Sequence, residues 1–177
     1  MGENHAPTFN NLPGAEFIID TDTVFFTSPT ADGIFNNQGR VVKQSGGGTA
    51  SIDGVFSNNG AVEVASGRLQ MAGGYTQTAG QTILSGGDLE SPTPLDIQAG
   101  TVTGSGRIVG GLINAGTVEV AGPNAAGTLT VTGSYTQTVT GVLQIELGGA
   151  SLGQYDRLEV NAAGAAAGQA LLDGTLA

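Results

Sequence analysis

The stretch Gly60–Gly87, GAVEVASGRLQMAGGYTQTAGQTILSGG, occurs a second time as Gly116–Gly149, GTVEVAGPNAAGTLTVTGSYTQTVTGVLQIELGG, with two short insertions. Gly60 answers to Gly116 and Tyr75 to Tyr135, and the wider offset of the second pair places an insertion in the turn between these landmarks. Repetition of this kind means one supersecondary unit stacked on copies of itself, each unable to bury its own apolar face. An insertion between copied strands marks a loop.

Ala61-Val62-Glu63-Val64-Ala65 in the first copy is answered by Thr117-Val118-Glu119-Val120-Ala121 in the second. A period of two sends the valines to one face and the glutamate to the other, so the valines are expected in a core. Each strand follows an apolar residue, one or two asparagines and a glycine, as FSNNG at Phe56–Gly60 and LINAG at Leu112–Gly116. The same signature stands at Phe35–Gly39 (FNNQG) and, one residue longer, at Phe9–Gly14 (FNNLPG). Aligned on Gly39 and Gly60, residues 33–53 and 54–74 are adjacent units of equal length, which suits three short strands and their turns. The asparagines ahead of Gly39, Gly60 and Gly116 are then expected to sit over one another at one corner. There they read as a ladder of side-chain amides that satisfies backbone groups rather than as a ligand site.

Composition fixes the class. Glycine takes 31 of 177 positions without a three-residue period, which excludes collagen, and only six prolines and clear strand patterning exclude a low-complexity linker. With 11% charged residues and no stretch carrying apolar residues at i, i+3, i+4 and i+7, the chain reads as all-β. Its formal charge of −10 repels phosphate backbones and anionic lipid surfaces, so no nucleic-acid partner is expected. Cysteine is absent, which removes disulfides, thiol nucleophiles and thiolate metal sites. No apolar run reaches the roughly 20 residues of a spanning helix, and no membrane insertion by this segment is expected. Met1–His5 lacks a basic n-region and an apolar h-region, so the sequence reads as a fragment or a mature chain.

In order along the chain, residues 1–30 read as a polar lead-in and N-terminal cap, with the aromatic segments Phe17-Ile18-Ile19 and Val24-Phe25-Phe26 covering the first rung. Residues 31–177 read as β-solenoid repeats, continuous with that cap. Between residues 75 and 110 four strand-like segments are separated by Gly86-Gly87, Pro92-Thr93-Pro94 and Gly104-Ser105-Gly106. At about 22 residues per turn the chain would make about eight rungs and, at 4.7–4.9 Å per rung, a rod of roughly 40 Å.

Residues suited to catalysis or metal binding are few. His5 is the only histidine and lies in the lead-in, so neither a histidine triad nor a multi-histidine metal centre is available. Asp20 and Asp22, then Asp88, Glu90 and Asp96, are the nearest approach to the clustered carboxylates of a polysaccharide-cleaving site. Carboxylates alternating on an exposed strand face read instead as solubility groups. Gly86-Gly87-Asp88 is a single partial match to a calcium-binding nonapeptide, and the glycine pairs are not phosphate loops, because no lysine and no helix follow. Threonine pairs at 76/78, 101/103, 128/130, 130/132 and 136/138 are too unevenly spaced for a flat ice-binding file and are explained by β-propensity. Tyr75 and Tyr135 read as packed residues rather than sugar platforms. No catalytic, metal-binding or cofactor-binding residue is assigned, no cofactor is expected, and binding residues stay unassigned.

FNNQGRVVKQSGGG (35–48), FSNNGAVEVASGRLQMAGGYTQT (56–78), GTLTVTGSYTQTVTGVLQIELGG (127–149) and QYDRLEV (154–160) together resemble the passenger-type repeats of bacterial autotransporters and related large surface or matrix proteins. The resemblance covers most of residues 9–177 and implies a right-handed parallel β-helix; the membrane-embedded barrel that follows such repeats has no counterpart in this sequence. It specifies architecture more than activity. The reading that follows is an all-β, parallel β-helix that is not an enzyme, secreted or held at a bacterial cell surface or in extracellular matrix, acting as a stalk, spacer or adhesive segment. A host-surface or matrix glycan is the adhesion partner this reading allows. One alternative is a filament subunit self-associating end to end through its terminal rungs, suggested by the open rung near Leu171-Leu172 and the abrupt end after Gly174-Thr175-Leu176. The other is a polysaccharide-binding or polysaccharide-cleaving β-helix.

Overall fold

A four-residue strand that alternates valine with a polar residue has one dry side, and it stays folded only if copies above and below extend that side. The computed structural model, which describes residues 6–26 and 33–161 and the backbone of 170–172, shows how the copies are arranged. The first turn is β1 (Thr8–Asn11), β2 (Glu16–Ile19) and β3 (Val24–Phe25), and the second is β4 (Ile34–Asn37), β5 (Arg40–Lys43) and β6 (Thr49–Ile52). The third is β7 (Val55–Asn58), β8 (Ala61–Val64) and β9 (Arg68–Met71). In the fourth, β10 (Tyr75–Gln77) precedes a long β11 (Gln81–Glu90), and in the fifth β12 (Leu95–Ile97) precedes β13 (Thr101–Val109). The sixth is β14 (Leu112–Asn114), β15 (Thr117–Val120) and β16 (Thr128–Val131). The seventh is β17 (Tyr135–Gln137), β18 (Val142–Gln144) and β19 (Arg157–Val160), and β20 (Ala170–Leu172) stacks on β17.

Each strand pairs in parallel with its counterpart one turn away, so the chain is an all-β parallel solenoid with three faces. Parallel neighbours need a long crossover, and here the other two faces of the turn supply it. The first face is one sheet, β1-β4-β7-β10-β12-β14-β17-β20. The second and third faces merge into one sheet because β11 and β13 run unbroken around the corner between them. The glycines at 86–87 and 104–106, read from sequence as strand separators, are therefore bends within strands. Pairing continues through them with a shift between Ser85 and Asp88, since glycine at φ +99° (Gly86) and +103° (Gly104) lets the backbone turn without leaving its ladder.

The chain completes about six turns between β1 and β17 rather than about eight. Eight follows from dividing the whole length by one period, and two segments depart from that period. The first turn, from Thr8 to its partner Ile34, is longer than the five that follow it. Residues 145–156, between β18 and β19, form an excursion, closed by an antiparallel bridge between Leu147 and Tyr155, that adds no rung. The long repeat is an offset of three turns: Val62 is joined to Val118 through Thr82 and Val102, and Tyr75 to Tyr135 through Leu95 and Leu112. The inserted residues lie at the corner between β15 and β16, where Ala121, Gly122 and Asn124 have positive φ. His5 and Gly174-Thr175-Leu176 lie outside the described residues.

Val62, Val64, Val118 and Val120 are fully buried. Stacked turns place like residues over like, and Phe9, Phe35, Phe56 and Tyr75 form a file with ring centroids 4.7, 4.8 and 5.5 Å apart, close to the spacing of paired strands. Phe17, Phe25 and Phe26 gather around Phe9, so residues 8–26, set apart by sequence as part of a cap, place four rings at the first end of the core while their strands pair in register with the second turn.

Beside this file runs the amide ladder. The Asn11 amide nitrogen donates to Asn37 Oδ1 (2.8 Å), Asn37 to Asn58 Oδ1 (2.8 Å) and Asn58 to Gln77 Oε1 (3.2 Å). The second hydrogen of each amide goes to a backbone carbonyl of the next turn, at Arg40, Ala61 and Gln81. The ladder resumes with Asn114, which donates to Gln137 Oε1 and to the Val142 carbonyl. Its corner is closed by a glycine column. A Cβ on Gly60 would lie 2.1 Å from the Gly39 carbonyl oxygen and one on Gly80 1.9 Å from that of Gly60, and Gly100 and Gly116 continue the column. The asparagine and glycine of the signature thus have one cause: successive backbones approach so closely at this corner that no side chain fits between them and only a buried amide reaches across.

Candidate functional site

The charged side chains gather on the outer surfaces of the second and third faces, and the one-turn period determines who meets whom. On the second face Arg40 reaches back to Glu16 (3.0 Å) and forward to Glu63 (2.7 Å). On the third face Arg68 pairs with Glu90 (2.8 Å) and Asp88 (3.5 Å), and Arg107 also pairs with Asp88. Gln70 donates to Glu90 as well. Arg68, Asp88 and Arg107 line an open trough at the corner between these faces, together with Thr49 and the glycines Gly47, Gly48, Gly67 and Gly86. A hydrogen bond to Glu63 raises the Arg40 pKa above its ordinary value, against desolvation and with help from Glu16, and a hydrogen bond to Asp88 followed by its Coulombic attraction raises that of Arg107.

The third charged site is partly inward. Lys43 is wholly buried at the end of β5, in register with Ile19 and Val64, and its ammonium leaves the core at the corner to meet Asp22 Oδ1 at 2.7 Å and the Ser45 carbonyl at 2.8 Å. Asp22 Oδ2 accepts the Gly48 N–H at 2.8 Å, and a Cβ on Gly46 or Gly48 would strike the carboxylate. The Lys43 hydrogen bond, then the Gly48 N–H, pull the Asp22 pKa below its ordinary value of 3.8, against a smaller desolvation. Because the folded-state pKa is the lower one, this stabilisation is complete above the unfolded value and fades as pH falls through the folded one. A urea midpoint that drops below about pH 4 is expected, with a shallower drop in Asp22→Asn. An equally steep acid limb in that variant would refute the assignment. At pH 7 Asp22→Asn is expected to lower the midpoint more than Lys43→Met does, since the first leaves a buried ammonium without its counter-charge and the second removes the charge altogether.

The carboxylates singled out by sequence are thus scattered. Asp20 accepts from Gln44 (2.8 Å) and Ser45 across a turn, Asp22 holds Lys43, and Asp88 and Glu90 share Arg68 on the third face. Asp96 lies on the first face, where it accepts from Gln98 at 2.8 Å. Among the described residues no group of three or more His, Cys, Asp or Glu side chains is placed to hold a metal ion. Tyr75 and Tyr135 are buried in the core file, and burial pushes both phenols above their usual range. Thr76 lies between Ser57 and Asp96 in its column, and Thr103 between Ile83 and Glu119, so threonine files do not form there.

Sequence reasoning counted the basic residues but missed their partners. The signal was present: Asp22 and Lys43, Arg68 and Asp88, and Asp88 and Arg107 are each separated in sequence by about one turn. A buried carboxylate was also missed. Asp156 accepts from Gly127 N (3.1 Å) and Glu146 N (2.9 Å), anchoring the excursion after β18 to the preceding turn. Comparison with protein-family models, with curated proteins and with solved structures finds no match to this chain.

Proposed function

We propose that this chain is a rigid spacer or stalk segment of a bacterial surface or extracellular matrix protein, exported, non-enzymatic, and adhesive through its outer faces and loops. The observation that carries the reading is the construction itself. All three faces are hydrogen-bonded turn to turn, the core is one continuous file, and the carboxylates nearest to a catalytic set are each engaged by a cation or an amide. Such a body transmits force and holds separation along its axis. Among the described residues no helix is long and apolar enough to cross a membrane. A net charge of −10 suits a neutral or cationic surface as contact rather than nucleic acid.

The absence of cysteine makes the test direct. Asn10 and Thr136 stand in one outer column of the first face, six strand steps apart, about 29 Å between backbones. Spin labels on Asn10→Cys and Thr136→Cys are expected to give one narrow distance distribution, unchanged when folded domains are fused to either end. A broad distribution, or one that shifts with the fused domain, would rule out a spacer role. A second reading, end-to-end assembly into filaments, is favoured by one feature: β1 and β18, the outermost described strands of the first and second faces at opposite ends, each pair on one side only among the described residues. Fibres that lengthen with concentration in electron micrographs would support it, and concentration-independent single particles would eliminate it.

A further inference from the structure

The amide ladder has a gap, and the gap is one residue wide. In register, Gln77 is followed by Ile97 and Ile97 by Asn114, so between Asn11 and Gln137 an isoleucine stands in a column that otherwise carries Asn11, Asn37, Asn58, Gln77, Asn114 and Gln137, before Leu172 ends it. The consequence is visible on the next rung. Asn114 Oδ1 is buried and accepts no hydrogen bond, whereas Asn37 and Asn58 each accept from the amide one turn earlier. On the other side, the Gln77 amide turns to the Ala99 carbonyl (3.0 Å) and the Thr101 carbonyl (3.4 Å). Among the described residues the two buried side-chain polar atoms without a partner are Asn114 Oδ1 and Ser91 Oγ, which flank the fifth turn. Backbone pairing is as extensive on one side of the fifth turn as on the other, but its form differs: β11 and β13 pair through one corner as continuous strands, whereas the sixth turn meets β13 as two separate strands, β15 and β16, and meets β12 as β14.

We propose that position 97 is a vacant rung of the ladder, and that the junction between β12 and β14 is therefore a seam dividing the solenoid into two cooperative blocks, with the fifth turn belonging to the first. An unpaired buried amide oxygen is costly and an apolar neighbour cannot relieve it. In a stack where each turn contacts only its neighbours, a weak interface is where opening begins. Asparagine at 97 would accept from Gln77 and donate to Asn114 Oδ1, joining the two ladders into one. The inference goes beyond the spacer reading and rests on packing alone, so either can fail while the other stands.

The test compares two asparagines introduced at fully buried aliphatic positions of the same turn, Ile97→Asn in the ladder column and Val102→Asn outside it. Urea unfolding is expected to keep the folded-to-unfolded ratio of Ile97→Asn within about tenfold of the parent, or to raise it. Val102→Asn should lower the ratio at least about a hundredfold or prevent folding, as an unpaired buried amide does. Equal losses in both variants would overturn the vacant-rung assignment. In the parent chain, hydrogen exchange should show a step of about tenfold or more in protection between the amides of β12–β13 and those of β14–β15. That step should shrink in Ile97→Asn. A smooth gradient toward the last turn, with no step at this junction, would overturn the seam whether or not the variants fold.

Discussion

Replacing Gly80 with alanine is expected to cost about 4 kcal/mol of folding stability, read as a lowered urea midpoint at unchanged slope. Two effects combine. The new Cβ would sit 1.9 Å from the Gly60 carbonyl oxygen, a backbone atom that cannot rotate away, and Gly80 has φ +74°, where an L side chain is strained. The displaced carbonyl accepts the N–H of Gln81, so moving it also loosens the pairing of β8 with β11. The matched control is Gly47→Ala, where a Cβ meets nothing within 4 Å and φ is not positive, with an expected change within about 0.5 kcal/mol. A small effect at Gly80 would mean that turns can separate at this corner, and the close-packed column would lose its meaning.

Removing the middle of the amide ladder should be nearly as damaging. Asn58→Ala is expected to destabilise by about 3 kcal/mol. Asn58 accepts from Asn37 (2.8 Å) and from Gly60 N (3.2 Å), and donates to Gln77 Oε1 (3.2 Å) and the Gln81 carbonyl (3.3 Å), all in a fully buried position. Asn58→Asp separates hydrogen bonding from shape. A carboxylate keeps both acceptor contacts but faces two acceptors with no proton to give, so burial and those neighbours raise its folded-state pKa above the unfolded value near 4. Its contribution is then present below that value and lost as pH rises, so Asn58→Asp should lie closest to the parent near pH 4 and fall furthest behind at pH 7. An Asn58→Asp deficit independent of pH would show that volume, not the donor, matters at this position.

Much of this was legible in the sequence for one physical reason: every turn solves the same problem in the same way. Val62 and Val118 alternate with glutamates because each strand has one dry face, and Asn37, Asn58 and Asn114 precede glycines because every passage of that corner is equally tight. A period that recurs at fixed register therefore discloses strands, core and corner together. Asp20 and Asp22 could be singled out as acids, but the alternation of charge cannot say that Lys43 points inward and returns to Asp22. Lys43 is consecutive with the buried Val41 and Val42, so the period of two fails there, and only the bend of the corner explains it. The continuity of β11 and β13 through their glycines was likewise hidden, since glycine ends one strand and bends another with the same residue.

An all-β solenoid with three short strands to a turn, the valine positions of its core and the asparagine–glycine corner could be read from the chain alone, because these depend on local alternation and on repetition. The tertiary structure decided the number of completed turns, the merging of two faces, the pairing of Arg40, Lys43, Arg68 and Arg107 with carboxylates one turn away, and the isolation of Asn114 behind Ile97. Those depend on which residue of one turn lies over which residue of the next. Register between turns shifts with every insertion in a loop, and it is fixed only when all three faces close at once.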